Sequence, residues 1–224
     1  MIRNIGIILS GGTGVRFGDD ALPKQYQPLG KKMVVDYVAD ALSHADSIDT
    51  VVLAGSGRLA ADLAGRRGFD LVPAGESRNL SIRNALDYIK KHHPDCMNVF
   101  ISEAARPFLT GAIVDFYVRL LEKHDAVITT SSITDSLGST GAWVTDRRDF
   151  YLIQAPEAFR FQMLNRCFSG DSDLSATVQQ LPVDARVMCH DGLALNPKIT
   201  YRHDLIMAEA LLASGVFDFN GAGE

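Results

Sequence analysis

A glycine-rich segment near the start of the chain is followed by two cations, a combination typical of a polyphosphate site. Residues 9–18 read Leu-Ser-Gly-Gly-Thr-Gly-Val-Arg-Phe-Gly, and residues 23–26 read Pro-Lys-Gln-Tyr. Glycine lacks the Cβ atom that would keep backbone N–H groups away from phosphate oxygens. Arg16 offers a forked donor and Lys24 a compact positive charge. The segment therefore predicts a loop that binds a phosphorylated anion, with both cations over it.

Two common glycine loops do not match this spacing. The dinucleotide fingerprint, aligned on Gly12 and Gly14, has Phe17 where its third glycine belongs, and no acidic residue ends the strand that follows at 51–54. The P-loop requires Gly-Lys-Ser/Thr, whereas residues 15–17 are Val-Arg-Phe. A glycine turn alone would be ordinary turn chemistry, and the attached cations favour a functional loop.

The order of elements places this loop at the carboxyl end of a buried strand, because residues 5–9 form a short apolar, β-branched run. Strand and helix patterns then alternate. The predicted strands are 50–54, 71–73, 98–101 and 126–130, and the predicted helices are 34–43, 59–64, 78–91 and 110–123. This alternation predicts an α/β fold with a mainly parallel sheet flanked by helices, in which ligands bind at the carboxyl ends of the strands.

The alternation breaks in the second half of the chain. Residues 131–150 are polar and turn-rich, which predicts a projecting β-arm with short strands at 142–145 and 150–153. We expect helices at 161–168 and 174–180, a strand at 186–189, a closing helix at 202–213, and a flexible tail over about 214–224. No linker or internal repeat divides the sequence, so we expect one domain over 1–224.

Composition excludes several classes of function. The 224 residues are 46% hydrophobic with a formal net charge of −5, which leaves no basic stripe for a nucleic acid. No stretch approaches the ~18 apolar residues of a membrane helix, and no leader pattern opens the chain. Three cysteines and six histidines lack disulfide-framework or metal-ligand spacing. We therefore expect a cytoplasmic protein without nucleic-acid or membrane partners.

Two further segments carry polar groups after predicted strands. Residues 74–81, Ala-Gly-Glu-Ser-Arg-Asn-Leu-Ser, open a helix and offer small groups that could read a base edge, although a plain helix cap would need only one serine. Glu103 and Arg106 follow the 98–101 strand. They could pair with each other, or they could hold a metal–phosphate and a substrate anion, and both interpretations stay open here.

Six ordered motifs resemble the 2-C-methyl-D-erythritol 4-phosphate cytidylyltransferases and the related ribitol-5-phosphate cytidylyltransferases. Besides the two segments at 11–18 and 23–26, they are Gly75-Glu-Ser-Arg-Asn-Leu-Ser81, Glu103-Ala-Ala-Arg-Pro107, Gln154-Ala-Pro-Glu-Ala-Phe159 and Asn196-Pro-Lys-Ile-Thr200. The resemblance implies a Rossmann-like nucleotidyltransferase fold, CTP as co-substrate, Mg²⁺, release of pyrophosphate, and a homodimer joined through the arm.

The resemblance also implies roles for individual residues. Those implied for the nucleotide are Ser10, Gly11, Gly12, Thr13 and Gly14 at the triphosphate, and Gly75 and Ser81 at cytosine. The implied catalytic cations are Arg16, Lys24 and Lys198. Those implied for the acceptor are Glu103, Arg106, Ser136, Arg147 and Lys198, with Glu103 also at the metal and Arg147 reaching across from the neighbouring subunit.

Two of the motifs quoted above depart from the family pattern on the acceptor side, and the family's Asp-Thr arm motif survives only as Asp135-Ser136-Leu137-Gly138 in a shortened arm. The family's His-Asp-Ala-Ala-Arg-Pro is here Ser102-Glu-Ala-Ala-Arg-Pro107, and its Gln-Thr-Pro-Gln is Gln154-Ala-Pro-Glu157. The first change lengthens an acid and the second removes a hydroxyl. We therefore predict that methylerythritol phosphate is a poorer acceptor, by at least about tenfold in kcat/KM, than some other polyol phosphate or phosphonate.

The predicted function is transfer of CMP from CTP to a small polyol phosphate, of the methylerythritol phosphate or ribitol phosphate type, to give a CDP-polyol. A phosphonate acceptor is an alternative, and so is a non-catalytic, nucleotide-binding regulatory subunit. Isoprenoid biosynthesis, wall or capsule polymer synthesis and phosphonate metabolism stay open as pathways.

Overall fold

A seven-stranded sheet forms the centre of the protein. The computed structural model describes residues 3–12, 15–18, 22–138, 140–141 and 146–219. The strands are β1 Asn4–Leu9, β2 Pro28–Leu29, β3 Lys32–Met33, β4 Thr50–Ala54, β5 Asp70–Val72, β6 Asn98–Glu103, β7 Ala126–Ser132, β8 Tyr151–Arg160 and β9 Val187–His190. The helices are α1 Val34–His44, α2 Gly57–Arg67, α3 Arg78–His92, α4 Gly111–Leu120, α5 Phe161–Cys167 and α6 Arg202–Ser214. Short 3₁₀ helices span Val15–Phe17, Lys24–Tyr26, Arg147–Asp149 and Thr177–Gln180.

The strand order in the main sheet is β5-β4-β1-β6-β8-β7-β9, and β2 and β3 form a separate hairpin. The pairs β1–β4, β1–β6, β4–β5 and β7–β9 are parallel, whereas β8 runs antiparallel to both β6 and β7. Strand β1 lies in the interior of the sheet, as its continuous apolar run predicts. The expectation of a mainly parallel sheet flanked by helices is confirmed.

Two hydrophobic layers cover the sheet. Alternate residues of β1 face opposite layers, so Ile8 packs with α1, α2 and α4, and Ile7 packs with α3 and α5. Gly6 lies against α1, where an added Cβ would stand 3.1 Å from both δ-carbons of Leu42. A side chain at this position would require Leu42 to shift by a few tenths of an ångström. None of the helices within the described residues has the length and apolarity needed to cross a bilayer.

Residues 215–219, which lie in the tail predicted from about residue 214, contact the core in the structure. The rings of Phe217 and Phe219 lie 5.2 and 6.1 Å from the ring of Phe108, and Phe219 also lies 5.1 Å from Tyr37. These aromatic contacts fix the chain beyond α6, because apolar rings gain more from burial than the ordered backbone loses. Residues 220–224 of the predicted tail lie outside the described range.

The arm predicted at 131–150 begins in the last two residues of β7 and ends just before β8. A register shift falls between Ile128 and Thr129, and beyond it the pairs run from Thr129–Gln154 to Ser132–Tyr151. The strand expected at 150–153 is therefore the first part of a longer strand that ends at Arg160. The strand expected at 142–145 lies outside the described residues.

The helix predicted at 174–180 is wrong, since only Thr177–Gln180 forms a 3₁₀ turn. The preceding serine-rich loop bonds to side chains instead of to a helical backbone. Asn79 Nδ2 donates to the carbonyls of Ser172 and Leu174 at 2.8 and 2.9 Å, and Ser172 Oγ accepts from the N–H of Leu174 at 3.2 Å. Such local side-chain bonds compete with helix formation.

A matched pair of leucines tests the packing of the sheet. Leu53 is fully buried on β4, and its register partner Leu71 on the edge strand β5 is 40% exposed. We expect Leu53→Ala to lower the free energy of unfolding by about 2–5 kcal/mol, because it leaves a cavity between sheet and helices. Leu71→Ala should cost less than about 1 kcal/mol. Urea denaturation measures both, and equal losses would contradict this account of the core.

Candidate active site

The loops that follow β1, β5 and β6 meet at one edge of the sheet, where the carboxyl ends of parallel strands lie side by side. They enclose a cavity of about 200 Å³, here called the first cavity. Its lining includes Ser10, Gly11, Gly12, Lys24, Gln25, Gly75, Glu76, Ser77, Arg78, Ser81, Glu103 and Lys198. The structure therefore brings together residues that are far apart in the sequence and that belong to five of the six motifs.

The glycine loop lies tightly against the loop that follows β5. An added Cβ on Gly11 would stand 2.3 Å from Ala74 Cβ, so no larger residue fits there. Gln25 Nε2 donates to the carbonyls of Ser10 and Gly12 at 2.9 and 3.0 Å, which fixes the shape of the loop. No role was expected for Gln25 from the sequence, although its position beside Lys24 was the available signal. Thr13 and Gly14 lie outside the described residues.

The segment that opens α3 is ordered by two serines. Ser77 Oγ accepts from the N–H of Leu80 at 3.0 Å, which is the plain helix cap. Ser81 is buried, accepts from the N–H of Gly75 at 3.0 Å and donates to the carbonyl of Ser77 at 2.9 Å. A Cβ on Gly75 would stand 2.3 Å from Leu80 Cβ. A helix cap explains the presence of Ser77 only. Ser81 has a different role, because it holds the backbone of Gly75 at the wall of the cavity.

Glu103 stands at the end of β6 and contacts three cations. Its Oε2 lies 2.8 Å from Lys198 Nζ and 3.2 Å from Arg106 Nε, and its Oε1 lies 3.5 Å from Arg78 Nε. Burial raises the pKa of the Glu103 carboxyl, but Lys198, Arg106 and Arg78 together lower it by more. The carboxylate is therefore ionised at neutral pH. Glu103 does pair with Arg106, and it also holds Lys198 at the cavity.

Hydrogen bonds to backbone groups hold the motif at 196–200 beside Glu103. Arg106 Nη1 donates to the carbonyl of Asn196 at 2.6 Å, and the N–H of Ile199 donates to the carbonyl of Ala105 at 2.9 Å. Asn196 Nδ2 donates in turn to the carbonyl of Ala155 at 2.8 Å. Lys198 is therefore fixed from both sides by the loop after β6 and by β8.

Lys24 lies in an unusual electrostatic environment. Its pKa is lowered to about 8, first by burial and then by repulsion from Lys198 and Arg16, while Glu103 and Asp204 oppose the shift. The three cations predicted to act in catalysis thus lie close enough to influence one another. Glu103 and Asp204 offset this repulsion only in part, so an additional anion beside Lys24 would be favourable.

A larger second cavity of about 650 Å³ adjoins the first, and both are lined by Ser77, Arg78, Glu103 and Lys198. The other lining residues include Arg106, Tyr151, Gln154, Ala155, Glu157, Ser172, Asp173, Leu174 and Ser175. Ala155 and Glu157, two of the departures from the family pattern, therefore lie in the wall of this cavity. Sequence reasoning gave no role to Arg78 or to Glu157, although both stand inside quoted motifs.

Ser136 and Arg147 lie elsewhere, in the exposed connection between β7 and β8. Neither residue, as described, lines the first or the second cavity. The Arg147 guanidinium donates to the carbonyl of Thr134 in the same chain. Their roles at the acceptor stay predictions, and for Arg147 the prediction concerns the partner's site.

The carboxylates at the first cavity are Glu76 and Glu103. Across the described residues, no group of three or more His, Cys, Asp or Glu side chains is placed to hold a metal ion. Mg²⁺ in nucleotide sites is commonly held by one or two carboxylates together with substrate phosphates. Glu103, whose Oε1 lies 3.5 Å from Arg78 Nε, could supply the single carboxylate of such a site.

Comparisons with known proteins agree with these observations. The model of the 2-C-methyl-D-erythritol 4-phosphate cytidylyltransferase family matches residues 5–214. The enzyme of that name from Ralstonia nicotianae is 32% identical, with 94% of this chain and 92% of the relative covered. The bifunctional IspD/IspF enzyme of Granulibacter bethesdensis is 29% identical over 99% of this chain, which spans 60% of that relative's length.

A solved structure supports the fold. The 4-diphosphocytidyl-2C-methyl-D-erythritol synthase of Anaerococcus prevotii superposes with a TM-score of 0.78 at 22% identity, covering 95% of this chain and 96% of the other. The expected Rossmann-like nucleotidyltransferase fold is confirmed. By the family match and by its sequence relatives, this chain belongs to the 2-C-methyl-D-erythritol 4-phosphate cytidylyltransferase family of CTP-dependent nucleotidyltransferases.

Proposed function

We propose that this protein transfers CMP from CTP to the phosphate of a small polyol phosphate, releasing pyrophosphate and forming a CDP-polyol. The observation that carries the proposal is the pair of adjoining cavities that share Arg78, Glu103 and Lys198. A nucleotidyl transfer must bring two anions into contact, and cations on a common wall serve that requirement. The family of the chain supplies the class of nucleotide and acceptor.

CTP occupies the first cavity in this proposal. Its triphosphate lies on the glycine loop that Gln25 holds in shape, and its base lies against Gly75 and Ser81. The carbonyl of Gly75 and the hydroxyl of Ser81 are acceptors that suit the amino group of cytosine. Gly75 already donates its N–H to Ser81, so these acceptors are ordered before the ligand arrives.

The acceptor phosphate attacks the α-phosphorus of CTP in line with the leaving pyrophosphate. A phosphomonoester is already an anion near neutral pH, so no general base is required. Lys24, Lys198 and Arg16 stabilise the charge that accumulates between the two substrates. Glu103 keeps Lys198 and Arg106 in place for this step, since both cations contact its carboxylate.

Mg²⁺ is part of the proposal, with Glu103 as its protein ligand alongside phosphate oxygens of CTP. When bound, the ion neutralises phosphate charge and orients the phosphate oxygens. Glu103 Oε1 is the oxygen proposed for the ion, because Oε2 already contacts Lys198 at 2.8 Å and Arg106 at 3.2 Å.

The acceptor lies in the second cavity, where Arg106 and Lys198 face its phosphate. Methylerythritol phosphate and ribitol 5-phosphate are the leading acceptors, and the names of the relatives favour the first. Ala155 and Glu157 in the cavity wall replace a threonine and a glutamine of the family pattern. This wall supports the expectation that the methylerythritol compound is not the best acceptor.

A cytoplasmic location belongs to the same proposal. Cys96 is buried, and burial raises the pKa of its thiol to about 12, so it is an unreactive core residue. Unpaired cysteines of this kind suit a reducing compartment.

An acceptor series tests the function. Pyrophosphate release from CTP and Mg²⁺ is measured with methylerythritol phosphate, ribitol 5-phosphate, glycerol 3-phosphate and hydroxyethylphosphonate. We expect turnover, with methylerythritol phosphate at least about tenfold below the best acceptor in kcat/KM, since each unpaired polar group costs about 1–3 kcal/mol.

Three results, from this series and from calorimetry with nucleotides, would count against part of the proposal. If methylerythritol phosphate gives the highest kcat/KM, the changes at 103, 155 and 157 are tolerated. If calorimetry shows CTP binding but no acceptor yields pyrophosphate, the chain is a nucleotide-binding regulatory subunit. If ATP or GTP binds as tightly as CTP, the role of Gly75 and Ser81 at cytosine is wrong.

Lys24→Ala should lower kcat by about 100-fold or more while changing the Kd for CTP far less, because its charge is needed most when negative charge accumulates in transfer. The lowered pKa of Lys24 also predicts a pH dependence. In the wild type, kcat/KM should fall as pH rises through about 8, because Lys24 of the free enzyme loses its proton there. The corresponding fall in kcat should lie at higher pH, because bound phosphates favour the protonated amine. Lys24→Arg is the control, since it stays charged and should remove this limb of the profile. A raised KM with unchanged kcat in Lys24→Ala would limit Lys24 to substrate binding.

A homodimer joined through the arm completes the proposal. The apolar side chains of Phe150, Tyr151 and Leu152 are 50, 51 and 51% exposed at the end of the arm. We expect light scattering to give twice the chain mass of 24.4 kDa. Leu152→Glu should shift the equilibrium to monomer, whereas Leu71→Glu on the opposite edge strand should not. A wild-type monomer at high concentration would refute the dimer and the role of Arg147 in the partner's site.

A further inference from the structure

Arg78 stands in the wall common to both cavities, and a buried carboxylate holds it there. Its Nη2 donates to Glu157 Oε2 at 2.6 Å, and its Nη1 donates to Thr177 Oγ1 at 2.9 Å. Its Nε lies farther, at 3.5 Å, from Glu103 Oε1. One guanidinium is thus shared between two carboxylates, and the shorter contact is to Glu157.

Glu157 is enclosed by the sheet. It is 1% exposed on β8, where its register partners are Ile101 of β6 and Ile128 of β7. Thr177 Oγ1 donates to the same oxygen as Arg78, at 2.9 Å. The other oxygen, Oε1, is buried without a hydrogen-bond partner among the described residues.

A contribution to stability does not by itself explain the buried ion pair between Arg78 and Glu157. A buried ion pair is often no more stable than well-packed apolar residues of the same volume. The family pattern has glutamine at this position, whose amide oxygen could accept a hydrogen bond from Arg78 without adding a charge. A carboxylate attracts the guanidinium more strongly than an amide does, and it therefore draws Arg78 away from Glu103.

We propose that Glu157 is a positioning residue for the transfer reaction: its charge holds Arg78 between the two cavities and leaves Glu103 to Lys198 and Arg106. The inference rests on the proposed function, because its consequence is the placement of Lys198 at the acceptor. Lys198 takes its position from Glu103, at 2.8 Å, and lines both cavities. If Arg78 turned to Glu103, it would compete directly with Lys198 for that carboxylate.

Glu157→Gln tests the charge with almost no change of shape. We expect kcat/KM for the best acceptor to fall by about tenfold or more, since small displacements of positioning groups have effects of that size. The Kd for CTP alone should stay the same or decrease, because the variant removes a negative charge near the phosphates. A general loss of structure would weaken both. Asp87→Asn is the matched control. Asp87 lies on α3, the helix of Arg78, and its exposed carboxylate pairs with Arg83, so this variant should change neither kcat/KM nor the Kd for CTP.

A double-mutant cycle with Arg78→Lys separates positioning from direct contact with the acceptor. Lysine keeps the charge but lacks the fork that spans two carboxylates. If Glu157 acts through Arg78, adding Glu157→Gln to Arg78→Lys should change kcat/KM by less than about twofold. Fully multiplicative effects of the two changes would overturn the proposal, and so would a Glu157→Gln enzyme with unaltered kcat/KM.

A crystal structure of Glu157→Gln gives a readout that does not require turnover. We expect the Arg78 guanidinium to move to Glu103 and the contact between Lys198 and Glu103 to lengthen. An Arg78 guanidinium that stays beside the substituted side chain would overturn the proposal. Failure of the wild type with every acceptor would refute the proposed function, and the position of Arg78 in this crystal structure would still decide the role of Glu157.

Discussion

The ionised carboxylate of Glu103 is the interaction on which the rest of the site depends. It ends a strand whose position is fixed by pairing with β1 on one side and β8 on the other. Three cations from α3, from the loop after β6 and from the motif at 196–200 converge on it. Without that charge, the cations would repel one another in a partly buried cavity. The anion therefore organises a region that must later receive further anions.

The surrounding scaffold supplies rigidity at the points where the ligands approach most closely. Gly11 and Gly75 allow two loops to contact each other and the start of α3, and no larger residue fits at either position. Gln25 and Ser81 then fix the backbone of those loops by hydrogen bonds that do not depend on a ligand. Groups that are already in place cost little to order when substrates bind, which is the condition for electrostatic catalysis.

The two halves of the site differ in how far they keep the family pattern. Around the first cavity, the glycine loop and the segment 75–81 match the motifs. Around the second cavity, Ala155 and Glu157 depart from them, and so does Glu103 in the wall common to both cavities. The wall between the cavities contains Arg78, held by Glu157 on one side and facing Glu103 on the other. Changes in the lining of the second cavity are therefore linked to the charge distribution at the first cavity.

The sequence by itself determined the class of fold and the motifs that line the first cavity. Short apolar runs alternating with amphipathic segments specify parallel strands with helical crossovers, and the glycines and cations stand within a few residues of one another. The antiparallel placement of β8, the serine-rich loop at 172–176 and the docking of Phe217 and Phe219 came only from the tertiary structure. So did the sharing of Arg78 between Glu103 and Glu157, which lie on strands far apart in the sequence. Local patterns cannot encode such contacts, because they depend on which distant elements the sheet order brings together.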